Sequence, residues 1–365
     1  MFFYAGVILI TTLISWFYCM VRKPWKRFYF FLLVLFPTIV AGLRGVGTDY
    51  IAHTHFYEKI INGSYFYADY TSLLIYFIRL LGSNGFSFQF SIFLISFLTV
   101  YLAFYIIRIY ENEISLPFAV FSYMTLFYHL SFNLYRQILA VEFFLLAIVY
   151  LHIFNNKKMF WIYGFIAGFI HSSAFLFIFI FFVWKFITTS SFKNRRLLIY
   201  IIGTSIIIAL PLLTQHLIFI QILFPHYENY FKEFFYNGFG FGSIKYIVVA
   251  IWPALFVRYL DRKIDLHMDK LSYCPFFAVF GTIIWLTSYV SSTYLYRMSY
   301  YLTISLPLFH GFIIKHYIER YGMKFHIRKG GIIAFMFIIV IIIFWVYDIQ
   351  IANTGEILPY KFFWN

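Results

Sequence analysis

MFFYAGVILITTLISWFYCMVRKPWKRFYFFLLVLFPTIVAGL, residues 1–43, holds two long apolar runs and one basic cluster between them. Neither Phe2–Val21 nor Phe28–Leu43 carries a charged side chain, and Arg22-Lys23-Pro24-Trp25-Lys26-Arg27 separates them. A hydrocarbon core about 30 Å thick takes about 20 helical residues to cross, with about 17 as a working minimum. No water reaches the backbone at that depth, so each run has to bond its own amides as a helix. Two crossings joined by a short basic turn are the result. Met1–Val21 is too long for a cleaved leader and lacks a basic start, so it reads as the first span.

The rest of the 365 residues repeats that pattern. Apolar residues make up 63% and aromatic residues 25%, while charged residues are only 12%, about half the share of an ordinary soluble domain. Further runs are Ser87–Ile107, Leu116–Phe132, Gln137–Phe154, Leu197–Thr214, Ile244–Leu260, Leu271–Ser292, Ser299–Lys315 and Gly330–Tyr347. The expected fold is therefore all-α. It is a polytopic membrane protein, one integral domain over 1–365, with about 10–12 transmembrane helices, short re-entrant segments and one larger extracytoplasmic loop. Cys19 and Cys274 lie inside apolar runs without metal or disulfide spacing.

The net charge of +14 sits in clusters between apolar runs, which is how cytoplasmic membrane loops look and argues against a nucleic-acid partner. Placing Arg22–Arg27 inside puts the segment 44–86 outside and Arg136 outside. Lys157-Lys158 and the Lys193, Arg195, Arg196 group then both fall inside. One crossing at Phe160–Phe186 forbids that, so a hairpin turning near His171 is expected there. In this scheme Arg44, Lys59, Arg79, Arg136, Lys232, Lys245, Arg297 and Lys361 lie outside, and the remainder of the 28 Lys and Arg are cytoplasmic. The larger outer loop is expected at 215–243.

In so apolar a chain, the informative residues are polar groups near hydrocarbon. Ala41-Gly42-Leu43-Arg44-Gly45-Val46-Gly47-Thr48-Asp49-Tyr50 brings Arg44 and Asp49 close on a turn whose glycines, Gly45 and Gly47, expose backbone N–H groups. A helix cap with a surface ion pair explains it equally well. Arg136, followed by Gln137, stands at an outer helix start, where an arginine commonly snorkels to headgroups. His171, with Ser172 beside it, sits where the topology demands a turn; a histidine bonded to a carbonyl is its plain alternative. Tyr296 and Arg297 open another outer helix, where tyrosines also form an interfacial belt. Glu142 is the only acid in a clear span.

Three arginines, a histidine and an aspartate thus converge on one leaflet. Guanidinium groups suit bidentate phosphate binding, and histidine can take a proton from a hydroxyl nucleophile. The set suits a lipid-linked phosphate or pyrophosphate. No Asp-x-Asp, His-Glu-x-x-His, Cys-x-x-Cys, P-loop or dinucleotide fingerprint is present, so neither metal nor cofactor is expected.

At these residues the chain resembles the Wzy/EpsG-type polysaccharide polymerases of bacteria. The resemblance rests on Gly42–Tyr50, Arg136–Ala140, Ile170–Ala174, Tyr296–Tyr301 and Leu358-Pro359-Tyr360, in that order along nearly the whole chain. It implies a multi-pass inner-membrane glycosyltransferase with its active site facing the periplasm or cell exterior. Such an enzyme polymerises O-antigen, capsule or exopolysaccharide repeats carried on undecaprenyl pyrophosphate. Residue by residue, it implies Arg44, Arg136 and Arg297 for the pyrophosphate and His171 or Asp49 as base, with Gly45, Gly47, Tyr50, Gln137, Ser172 and Tyr296 in support. Partners would be the lipid-linked glycans, membrane lipids, a chain-length regulator and a flippase. A flippase, an O-acyltransferase and an O-antigen ligase are the competing readings. A flippase would line a path open to both sides, and an acyltransferase would need a cytoplasmic acyl-donor entrance.

Overall fold

A computed structural model describes residues 1–63, 73–189, 205, 241–255, 269–289, 295–322, 327–353 and 355–364. The expected span at 197–214, the basic groups at 193–196 and 261–263, Tyr294 and most of the expected 215–243 loop lie outside the described residues.

The regular structure among the described residues is helical, with an isolated β-bridge between Arg44 and Phe362. Among the described residues, four helices are long and apolar enough to cross a membrane: α1 (Phe2–Met20), α2 (Lys23–Gly42), α5 (Phe88–Ile109) and α7 (Tyr135–His152). Helix α1 shows what solvent they are built for. Its inward positions include Tyr4, Thr11, Ser15 and Tyr18, while Leu9, Leu13, Trp16, Phe17 and Met20 face out. A helix in water would place these the other way round. The inward polar groups bond within the protein: Thr11 Oγ1 to the Val7 carbonyl at 2.7 Å, and Tyr18 Oη to Glu111 Oε2 at 2.8 Å.

The segment 44–86 is not an open loop. It holds two short helices, α3 (Tyr50–Ile61) and α4 (Leu73–Ser83), which pack on each other. The remaining helices are α6 (Leu116–Leu126), α8 (Lys157–Ile170), α9 (Ser173–Thr189), α10 (Phe241–Tyr246), α11 (Tyr273–Ser288), α12 (Leu295–Thr303), α13 (Leu306–Gly322) and α14 (Ile327–Val346).

Two compact units share these elements: residues 1–174 with 306–365, and residues 175–305. In the first, α7 is the most enclosed long helix, packed by α5 and α8, while α6 meets α1, α5, α13 and α14. In the second, Phe177 stacks on Tyr301 at 4.6 Å and Phe181 meets Phe277 edge-on at 6.4 Å, so an aromatic core joins α9, α11 and α12.

Helix α8 runs back along α7. Tyr163 lies between Phe143 at 6.2 Å and Tyr150 at 5.1 Å. His171, about two turns beyond Tyr163, therefore comes level with Ile138 and Leu139. A break at His171-Ser172 separates α8 from α9. It stands near the end of the bundle that holds Arg136, and not at mid-depth.

Candidate functional site

A helix leaves its last four carbonyls without intrahelical partners, which is costly away from water. At the end of α2 each finds one. Ile39 accepts from the Leu43 N–H at 3.0 Å, Val40 from Tyr360 Oη at 2.9 Å, Ala41 from Arg44 Nη1, and Gly42 from Gln89 Nε2. Arg44 therefore turns back under the helix it follows. Its other bonds go to Ser96 Oγ at 3.3 Å and to the Phe132 carbonyl at 2.8 Å. The side chain is 1% exposed. Burial lowers the guanidinium pKa to about 10, so it stays charged at neutral pH and opposes the negative end of the α2 dipole.

The expected ion pair between Arg44 and Asp49 is not formed. The intervening turn sends Arg44 beneath α2 and leaves Asp49 at the head of α3. Gly45 does not offer a free N–H either: it donates to the Lys361 carbonyl at 2.9 Å, and Phe363 N–H returns a bond to Leu43. A Cβ at Gly45 would lie 2.8 Å from the Phe362 carbonyl oxygen, so the close approach of this backbone pair requires glycine.

Asn133 ties three segments together. Its Nδ2 donates to the Gly355 carbonyl at 3.0 Å and its Oδ1 accepts from the Asp49 N–H at 3.5 Å. Its own backbone carbonyl accepts from His53 Nε2 at 3.0 Å. Gly47 takes φ of 123°, and a Cβ there would collide with Asn133 Oδ1. Glycine at 47 thus serves both the turn and the amide beside it.

Beyond Asn133 the chain enters α7 at Tyr135, and α7 has no side-chain N-cap. Its first-turn N–H groups and positive dipole end stand beside Arg136. His53 and Phe56 lie three apart on α3 and so share a face. His53 meets the edge of Tyr135 at 4.5 Å, and the Arg136 guanidinium sits 5.1 Å from the Phe56 ring centre. Arg136 is half-buried and makes no hydrogen bond or ion pair among the described residues. It is a cation held by an aromatic face and left without an anion. Burial chiefly lowers the His53 pKa; the Asn133 carbonyl and Asp49 oppose that, and Arg136 and Arg44 add to it.

The other anticipated residues take varied places. Tyr50 donates to Gln89 Oε1 at 2.8 Å and so couples α3 to the α2 cap. Gln137 is buried in the first turn of α7. His171 pairs its Nδ1 with Ser173 Oγ at 2.7 Å, and Ser172 is exposed beside it. Arg297 and Tyr296 belong to the second unit, where Arg297 Nε donates to Tyr296 Oη at 3.4 Å. Glu142 is buried deep in α7, and its Oε1 has no hydrogen-bond partner. Among the described residues no group of three or more His, Cys, Asp or Glu is placed to hold a metal ion.

Asn133, His53 and Gln89 are the additions that the sequence pattern did not single out. Asn133 stands three residues before the noted Arg136, yet its pairing with Gly355 is a relation over 222 residues that a single sequence does not display.

In comparison with known proteins, the model of the EpsG family matches residues 27–362. No curated protein and no solved structure matches the chain.

Proposed function

The chain belongs to the EpsG family, and on that premise we propose that it polymerises lipid-linked oligosaccharide repeats into a surface polysaccharide. Family membership supports a role of the polysaccharide-polymerase type. The finer reading is a glycosyltransferase, working without a metal, in a bacterial inner membrane with its site facing outward. The growing glycan on undecaprenyl pyrophosphate is the donor. A hydroxyl of a single lipid-linked repeat attacks its anomeric carbon, the bond from that carbon to the pyrophosphate oxygen breaks, and undecaprenyl pyrophosphate leaves.

The observation that carries this reading is Arg136. An unpaired guanidinium beside the uncapped start of a long helix is suited to a pyrophosphate, because the N–H groups and the fork bind oxyanions together. Charge gathers on the leaving group as its bond breaks, and preorganised donors stabilise that charge most where water is excluded. Arg44, committed to carbonyls, is better cast as the anchor that holds the 44–50 turn than as a ligand.

Repeats isolated from cells lacking this protein, supplied on undecaprenyl pyrophosphate to the purified protein in liposomes, test the reading. Product ladders and free undecaprenyl pyrophosphate are expected. Arg136→Lys should lose at least about tenfold in rate, since an ammonium cannot reproduce the fork. Repeats that cross the bilayer without being joined would make the protein a flippase. In cells, deletion should remove long chains while a single repeat still reaches its final acceptor; loss of that single repeat as well would mean a ligase.

A further inference from the structure

We propose that His53 Nδ1 takes the proton from the acceptor hydroxyl during glycosyl transfer, which makes His53 a catalytic residue of this site. The inference rests on the polymerase reading above.

The geometry that points to it is the fixed orientation of the ring. A backbone carbonyl only accepts, so the 3.0 Å contact between His53 Nε2 and the Asn133 oxygen requires the proton on Nε2. The neutral ring then carries its lone pair on Nδ1, and among the described residues no group bonds that nitrogen. Orientation by a bond to the opposite ring nitrogen is how a histidine base is aimed. Here the orienting group is main chain, held in turn by the Asn133 amide between Gly355 and Asp49. Tyr135 bounds the ring edge-on at 4.5 Å.

Place and charge agree. His53 and Phe56 share a face of α3, and Phe56 bears the free guanidinium of Arg136. Arg136 is near enough for its charge to act on the His53 ring, so a donor pyrophosphate bound there would have His53 as a neighbour. The charged groups acting on the ring are Arg136 and Arg44, which disfavour its protonated form, and Asp49, which favours it; burial outweighs Asp49. The ring is thus neutral, and able to accept a proton, at neutral pH. His171 Nδ1, by contrast, is already paired with Ser173.

The step balances. The hydroxyl proton passes to Nδ1 while the oxygen forms its bond to the anomeric carbon. The carbon–oxygen bond to the pyrophosphate breaks, and its electron pair leaves as charge on the pyrophosphate beside Arg136. His53 then returns the proton to water.

His53→Gln is the informative variant, because a glutamine amide can still donate to the Asn133 carbonyl but has no basic nitrogen. Purified parent and variant would be supplied with undecaprenyl-pyrophosphate-linked repeats isolated from the deletion strain. The expected loss in kcat is ~10²–10⁴-fold, with KM for the lipid-linked repeat changed only a few-fold and an unchanged melting midpoint. The parent kcat should hold through the usual imidazole range and fall only as acidification passes the lowered native pKa of His53, and the residual activity of the variant should lack that limb. His53→Ala tests the same loss without the amide. A parent that makes no polymer removes the polymerase reading and this assignment with it. A parent that polymerises beside a His53→Gln variant of similar kcat and pH profile removes the assignment alone.

Discussion

Arg44 holds Phe132 twice: Nη2 donates to its carbonyl at 2.8 Å, and the guanidinium carbon lies 4.8 Å from its ring centre. One side chain so joins the end of α2 to the turn that precedes α7. Losing it would leave the Ala41 and Phe132 carbonyls unbonded in a dry place. Hydrogen bonds from a charged donor contribute about 1.5–3 kcal/mol each, so Arg44→Ala should destabilise the protein by roughly 3 kcal/mol or more. Arg44→Lys should recover little of this, since one ammonium does not span both carbonyls. Thermal unfolding in detergent reads the effect. A melting midpoint equal to the parent's would show that Arg44 does not hold the bundle end.

Gly47→Ala carries two separable costs. The φ of 123° strains any side chain, and the new Cβ meets Asn133 Oδ1. A loss of about 1–3 kcal/mol is expected from the backbone alone. Asn133→Ala is also destabilising, because it removes the side-chain bond to the Gly355 carbonyl and leaves that oxygen with the Thr48 N–H alone. The double variant should nevertheless be more stable than the sum of the two losses implies, since the collision vanishes. Strict additivity would mean that Asn133 does not occupy the space beside Gly47.

Much of the bundle could be read from the apolar runs, because lipid selects for long uncharged helices and Phe2–Val21, Ser87–Ile107 and Gln137–Phe154 fall close to α1, α5 and α7. Arg44 and Arg136 were also legible, being charges against an apolar background. Their roles were not. Proximity in sequence paired Arg44 with Asp49, whereas carbonyl bonding draws the arginine under α2. His53 escaped notice because it lies outside the apolar runs, where polar residues are ordinary. Tyr360 and Gly355 act on partners hundreds of residues away, and no local period records such contacts.

Acid should weaken the fold through His53. Burial holds its pKa below the usual value in the native state, and the unfolded chain titrates near 6.5. Between those two values the unfolded state binds more protons, so stability rises with pH. The contribution is complete above about pH 6.5 and is lost as pH falls through the native value. Melting midpoints measured from pH 7.5 down to pH 5 should fall more steeply for the parent than for His53→Gln. Parallel curves would place the ring in contact with water.

Orientation in the membrane has its own test. Asn84, at the α4–α5 connection, belongs to the end that holds Arg136, and Lys157 heads α8 at the other end. With Cys19→Ser and Cys274→Ser as background, Asn84→Cys should react with an impermeant maleimide added to intact cells, and Lys157→Cys only after lysis. The reverse pattern would place the Arg136 site on the cytoplasmic face and remove outward polymerisation.

The bond from Tyr360 to Val40 spans 320 residues, and its consequence lies in biosynthesis. At about 5–20 residues per second of translation, the Val40 carbonyl meets the ribosome's later product on the order of 15–65 s after its own synthesis. Throughout that interval α2 is already in place with its terminus incompletely capped. Water at the membrane surface has to serve as the temporary partner, so this corner of the bundle is where a nascent chain would be most open to quality-control proteases.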